Sequence, residues 1–204
     1  MFELENLIRI SKEYIEPASI VLSRAFLNDP IFCWQIPDES KRKTKLHYLW
    51  KLILKIWIKL GEVYTTSENL EGIAVWHPPG MVNISYWKYI LNGGFILPFR
   101  FGIKSTKKLM YIQDVNVSMR NHLIKTPYWY LGPIGVDPEH QGKGFASKLL
   151  KPMLDRIFWE NLPILLETNA RKNVSIYEHF GFEVIEEIII PKTNFISWIM
   201  IKND

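Results

Sequence analysis

Cysteine is almost missing from this chain: Cys33 stands alone among 204 residues, so no internal disulfide can brace the fold. The opening Met1-Phe2-Glu3-Leu4-Glu5 also lacks the basic-then-apolar order of a secretory signal, and together these absences predict a cytoplasmic protein. No uncharged apolar run reaches the ~18 residues that a spanning helix needs, and no repeat or low-complexity tract is present. Stable membrane association is therefore not expected. Dense Arg/Lys clusters interleaved with stacking aromatics are missing too, and the excess of 25 basic over 21 acidic side chains is modest. Nucleic acid is not an expected partner, and no metal-binding residues are expected.

What the chain does have is core material. Hydrophobic residues make up 48% and aromatics 14%, enough to bury a sizeable interior, and no shift in composition marks a linker. The reading is one domain over residues 1–204. Leu4 to Ile10 reads as a strand. A helix follows with Pro17 in its first turn and Val21, Leu22, Ala25 and Phe26 at helical spacing, ended by Asp29-Pro30. Ser40 to Leu60 reads as a second helix, apolar around most of its circumference, with Lys51, Lys55 and Lys59 as a solvated stripe. Val63 to Thr66 and Gly72 to His77 read as a hairpin, stopped by Pro78-Pro79-Gly80.

From Asn83 to Lys125 the pattern is helical again, interrupted by Asn92-Gly93-Gly94 and Pro98, with Leu109, Ile112, Asn116, Met119 and Leu123 on one face and Ser105 as its expected cap. Tyr128 to Val136 then reads as a strand whose Gly132, Pro133 and Gly135 are odd for a central position. They predict a bulge or splay that exposes backbone groups to something approaching closely. A helix bearing Leu149, Met153 and Ile157, with Pro152 inside it, leads to strand Ile164 to Thr168. The next helix carries Asn173, Tyr177 and Phe180 and ends at Gly181. Strands Phe182 to Ile190 and Phe195 to Ile201 finish the chain.

Between the odd strand and its helix lies Gln141-Gly142-Lys143-Gly144-Phe145-Ala146-Ser147. A glycine-rich turn entering a helix aims free N–H groups and the positive end of the helix dipole at one point, which suits phosphate. The spacing is wrong for a Walker loop, in which Gly-Lys is followed by Ser or Thr, since Gly144 follows Lys143. It is also weak for a dinucleotide fingerprint, because Ser147 stands where a third small apolar residue belongs.

What the spacing does match is Gln-x-x-Gly-x-Ala, as Gln141, Gly144 and Ala146, with Asn173 through Phe182 downstream. These segments resemble the GNAT superfamily of acetyl-CoA-dependent N-acetyltransferases, most specifically from Tyr128 to Phe182. The resemblance implies an α/β (α+β) GNAT fold: a mixed, mostly antiparallel sheet of six to seven strands, splayed after strand four and flanked by helices, with a helical insertion around 83–125. It implies that acetyl-CoA is the acetyl donor, with Ile134, Gly135 and Val136 along its pantetheine arm, residues 141–147 on its pyrophosphate and Asn173 hydrogen-bonded to it. Asn173 could equally be a helix cap.

Tyr177 matches the family's general acid for the departing thiolate, or packs as a structural phenol. A backbone N–H near Val136 would serve the developing oxyanion. Glu167 is the first candidate for the base, with Asp114, His122 and water as others. Trp34, Tyr128 and Trp129 are candidate acceptor-pocket residues, or simply core. The expected acceptor is the primary amine of a small molecule, and the expected state a monomer or homodimer. Acetylation of protein N-termini or lysines, which would call for an open acidic groove, and a non-catalytic acyl-CoA-binding module are the alternatives.

Overall fold

The computed structural model describes residues 4, 7–83 and 85–203. Its sheet carries seven strands among the described residues, β1 (Ile8–Arg9), β2 (Glu62–Thr65), β3 (Gly72–His77), β4 (Trp129–Val136), β5 (Ile164–Thr168), β6 (Glu183–Ile189) and β7 (Ile196–Lys202), in the order β1-β2-β3-β4-β5-β7-β6. Every pairing is antiparallel except β4 with β5. The strand expected from Leu4 is only two residues long, and Glu5 and Asn6 lie outside the described residues.

Strand alternation sorts the core into two layers. From β3, Ala74 and Trp76 face α7 (Phe145–Phe158) and α8 (Arg171–His179), where Leu149, Met153, Ile157 and Val174 are buried. Ile73 and Val75 face the other way, onto Leu22 of α1 (Ile15–Ala25) and Leu46, Leu54 and Trp57 of α3 (Glu39–Leu60). Being covered on both faces, β3 is buried along its whole length, which is why it reads as an apolar run rather than an alternating one.

Three local expectations need correction. Asp29-Pro30 does not merely end a helix: α1 stops at Ala25, and Asp29 caps a further short helix, α2 (Pro30–Gln35), accepting from the Ile31 and Phe32 N–H groups. With proline at the first helical position, this is a start signal as much as a stop. Ser105 is no cap. It lies inside α6 (Ile103–Leu123), whose N-cap is Gly102, and its hydroxyl donates to the Gln35 carbonyl at 3.3 Å. Pro98 is no interruption of the insertion: it sits in the first turn of α5 (Leu97–Arg100), while the breaks between α4 (Tyr86–Leu91), α5 and α6 fall near Gly93, as expected, and Gly102, both at positive φ.

Candidate active site

β4 and β5 are paired only at Trp129 with Ile164 and Tyr130 with Leu165. Beyond that point β4 stays bonded to β3 while β5 stays bonded to β7, so the strands diverge and each turns an unpaired edge to the gap. The divergence follows a bulge. Trp76 pairs with Leu131 and Ala74 with Ile134, which leaves Gly132 and Pro133 together opposite Val75. The two glycines of β4 serve packing as well. A Cβ at Gly132 would lie 2.5 Å from Nε2 of His77, and one at Gly135 would lie 3.0 Å from the side chains of Leu22, Ala25 and Phe26.

A cleft of about 680 Å³ opens at the divergence. Ile134, Gly135 and Val136 form one wall, Gln141, Gly142, Gly144, Phe145 and Ala146 the phosphate-type loop, and Asn173 and Tyr177 the opposite side. Gly142 and Gly144 have φ of +75° and +81°, conformations that side chains rarely adopt, and nothing lies within 4 Å of a Cβ at either. Gly144 is the N-cap of α7 and offers no side-chain cap, so the first-turn N–H groups remain free for a ligand. Gln141 holds the loop to its strand by donating to the Val136 carbonyl at 3.1 Å. Lys143 folds back onto the Glu139 carbonyl at 2.9 Å, and neither it nor Ser147 lines the cleft.

The α8 side is built by its C-terminal cap. Gly181, at φ +84°, lets its own N–H reach the Glu178 carbonyl and the Phe182 N–H reach that of Tyr177, a Schellman arrangement in which the rings of Tyr177 and Phe182 pack edge-to-face at 5.9 Å. Burial pushes the Tyr177 phenol up to about 12, so it stays protonated at neutral pH. Asn173 is not the cap of α8, a place taken by Ala170. Its amide donates to Thr168 Oγ1 at 3.4 Å, a long bond that leaves it available. Phe180, which helical spacing would put on one face with Asn173 and Tyr177, does not join them at the cleft. It lies past the helix end and packs into the core.

Sequence reasoning missed the wall supplied from the other side of the gap. Arg24, Asn28, Asp29 and Lys172 also line the cleft. Arg24 is paired to Asp137 and Glu139. Burial raises the Asp29 carboxyl above its usual range, opposed by its two capping bonds. Lys172, beside Asn173 in the sequence, was the one of these with a visible signal; the others depend on where α1 and α2 meet β4.

A second cavity of about 460 Å³ lies on the α3 face of the sheet, between α3, the insertion and the bulge. Trp57, Tyr89, Leu97, Met110 and Pro133 are among its apolar walls, while His77, Thr106 and Tyr130 bring polar groups, and no carboxylate lines it. Neither ring nitrogen of His77 has a hydrogen-bond partner among the described residues. Burial, reinforced by the Arg120 charge, holds its pKa well below the ordinary value, so the imidazole is neutral at pH 7.

The remaining expected site residues stand outside both cavities. Glu167 is buried at 3% side-chain exposure against Arg120 of α6 at 1%, with one oxygen 2.7 Å from the guanidinium and the other accepting from the Tyr130 hydroxyl. A carboxylate with both oxygens engaged is poorly placed to take up a proton. Asp114 is exposed and accepts from the Tyr86 hydroxyl, and His122 is exposed at the end of α6. Trp129 is core, its indole N–H donating to Glu160, and Tyr128 packs with Leu165 and Ile199. Trp34 packs edge-to-face with Phe195 under the Lys108 ammonium.

The architecture and motif have known counterparts. Residues 111–184 match a family profile described as Acetyltransferase (GNAT) domain. An uncharacterised N-acetyltransferase of Schizosaccharomyces pombe is 28% identical over 193 residues, spanning 91% of this chain and 77% of that one. The chain thus carries a match to the GNAT acetyltransferase domain over residues 111–184, and the relative agrees with it. Solved structures carry the same fold across nearly all of this chain. A Corynebacterium glutamicum protein described as histone acetyltransferase HPA2 and related acetyltransferase has a TM-score of 0.66 at 20% identity, covering 97% of this chain and 95% of its own. Arylalkylamine N-acetyltransferase 2 of Aedes aegypti has a TM-score of 0.61 at 17% identity, covering 97% of both chains. The chain thus carries an acyltransferase domain, with N-acetyl transfer as the general reaction that the profile and the relative support.

Proposed function

We propose that this protein transfers an acetyl group from acetyl-CoA, bound in the cleft, to the amine of an apolar small molecule held in the second cavity. The observation that carries this reading is the shared wall: Ile134 lines the cleft and Pro133, its neighbour in the bulge, lines the apolar cavity, so donor and acceptor would meet at β4. The cleft fits the donor by chemistry. The open glycines at 142 and 144 and the free turn of α7 suit a diphosphate, and the unpaired β4 edge suits an arm bearing amides. When bound, acetyl-CoA supplies the activated acyl group and a thiolate leaving group.

The protein's own part is proton handling and orientation. An alkyl ammonium with a pKa near ~10.4 must lose a proton before it can attack. That proton goes to water, since burial holds the His77 imidazole neutral; the imidazole, without a partner and on the cavity wall, is assigned the role of accepting a hydrogen bond from the neutral amine and orienting it. Tyr177, protonated and without a hydrogen-bond partner among the described residues, is assigned delivery of a proton to the sulfur. A backbone N–H of β4 near Val136 stabilises the oxyanion. Glu167 becomes a positioning residue that holds Tyr130 and Arg120 behind the cavity.

A small apolar amine is favoured over a protein terminus or lysine because the cavity is apolar and lacks the acidic lining that a cationic peptide would want. The test is thiol release from acetyl-CoA across a panel of hydrophobic and polar amines. Turnover confined to hydrophobic amines supports the reading, whereas acetyl-CoA binding without release for every acceptor, peptides included, replaces it with a binding module.

A further inference from the structure

The insertion does two things at once. Inward it walls the second cavity, and outward it leaves an uncommon amount of large apolar surface in water. Every fourth residue along it is a large hydrophobe standing mostly exposed: Trp87 at 72%, Leu91 at 83%, Phe95 at 65%, Phe99 at 84% and Ile103 at 65%. Scattered exposed hydrophobes are ordinary, but a run of five within seventeen residues marks a surface that something covers.

Charge says what covers it. Residues 85–113 contain Lys88, Arg100, Lys104, Lys107 and Lys108 and no acidic residue, whereas the whole chain has 25 basic to 21 acidic side chains. All but Lys108 are exposed. Asp114, the acid that follows, accepts a hydrogen bond from Tyr86. A second copy of the chain is disfavoured, since a two-fold contact would press this cationic patch against itself. Aromatic and aliphatic side chains set among lysines and arginines match the boundary of an anionic bilayer, where rings sit among the headgroups and ammonium groups meet lipid phosphate.

We infer that the segment from Tyr86 to Met110 docks this protein on the surface of membranes that carry anionic lipid. Trp87, Leu91, Phe95 and Phe99 enter the headgroup boundary, and Arg100, Lys104 and Lys107 supply the electrostatic attraction. No helix among the described residues is long and apolar enough to cross a membrane, so the contact is one of surface lying rather than spanning. It departs from the expectation of no stable membrane association, which rested on the absence of a spanning run. Ile90, Phe95 and Met110 both line the second cavity and stand partly in solvent, so apolar surface runs unbroken from the docking face to the cavity wall.

Flotation of the full chain with phosphatidylcholine vesicles, with and without phosphatidylserine, tests this independently of any catalysis. The wild type is expected to float with the anionic vesicles at low salt and to be released as salt screens the attraction. Trp87→Ser with Phe99→Ser should abolish flotation, and Lys104→Glu with Lys107→Glu should weaken it about tenfold or more. Both variants change exposed side chains, and circular dichroism and melting confirm that they fold. A folded wild type that stays in solution with anionic vesicles at low salt overturns the inference. So does sedimentation showing a dimer that the Trp87 and Phe99 changes dissociate, which would assign the face to a second copy.

Discussion

Tyr177 and Gly144 carry opposite halves of the proposed chemistry and separate in the measurements they affect. Tyr177→Phe removes the hydroxyl but keeps the edge-to-face contact with Phe182, so kcat should fall about a hundredfold, within the ordinary range for a general acid. The acetyl-CoA dissociation constant should hardly move. An unchanged kcat would remove the tyrosine from the reaction. Because the phenol is pushed up to about 12, its proton is retained below that pH, and no descending limb from Tyr177 should appear between pH 7 and 10. Gly144→Glu acts on binding instead. It forces a side chain into φ +81° and puts a carboxylate where a diphosphate would lie, so calorimetry should show acetyl-CoA affinity about a hundredfold or more weaker in a protein that still folds.

At the level of elements, the ion pair between Arg120 and Glu167 ties α6 of the insertion to β5 of the core across a nearly solvent-free contact. Breaking such a pair from one side leaves an uncompensated buried charge. Arg120→Met should therefore cost about 3–5 kcal/mol in denaturant unfolding, and the double variant Arg120→Met with Glu167→Leu should recover a substantial part of it. If the two losses simply add, the pair is not coupled and the insertion is held by packing alone. The same contact explains what could be read in advance. β4, α7 and α8 were legible because turn chemistry and periodicity are local: Gly132-Pro133 announced the bulge, Gly144 the start of α7 and Gly181 its counterpart at the end of α8. The insertion was legible as helical, with its break at Asn92-Gly93-Gly94. The burial of Arg120 and the pairing that engages Glu167 depend on partners 37 to 47 residues away, and no spacing rule reaches that far.

Taken as a whole molecule, the protein places an apolar, acid-free cavity beside a cleft that carries a phosphate-type loop and buries one unpaired imidazole on the cavity's wall. His77 was read in the sequence only as the end of a strand. Its importance comes from tertiary placement, against the Trp57 ring at 3.5 Å between centroids and above Gly132. Folding excludes a proton from it, since burial first and the Arg120 charge second hold its pKa well below 6.5. The unfolded chain therefore binds more protons than the native one once pH falls below about 6.5. The stability His77 allows is fully present above that pH and is lost as pH drops toward the native-state value, with a slope of at most ~1.4 kcal/mol per pH unit. Melting temperatures recorded between pH 7 and 5 should fall for the wild type and fall less for His77→Gln, because glutamine cannot titrate. The activity prediction shares the group but not the sign of the mutation's effect: kcat/KM for a hydrophobic amine should drop in His77→Gln at every pH, while the melting temperature at pH 5 moves closer to that of the wild type. A variant that is equally acid-labile would place the titrating group elsewhere. One that gains acid resistance yet keeps full activity would make the imidazole a buried structural residue with no part in orienting the amine.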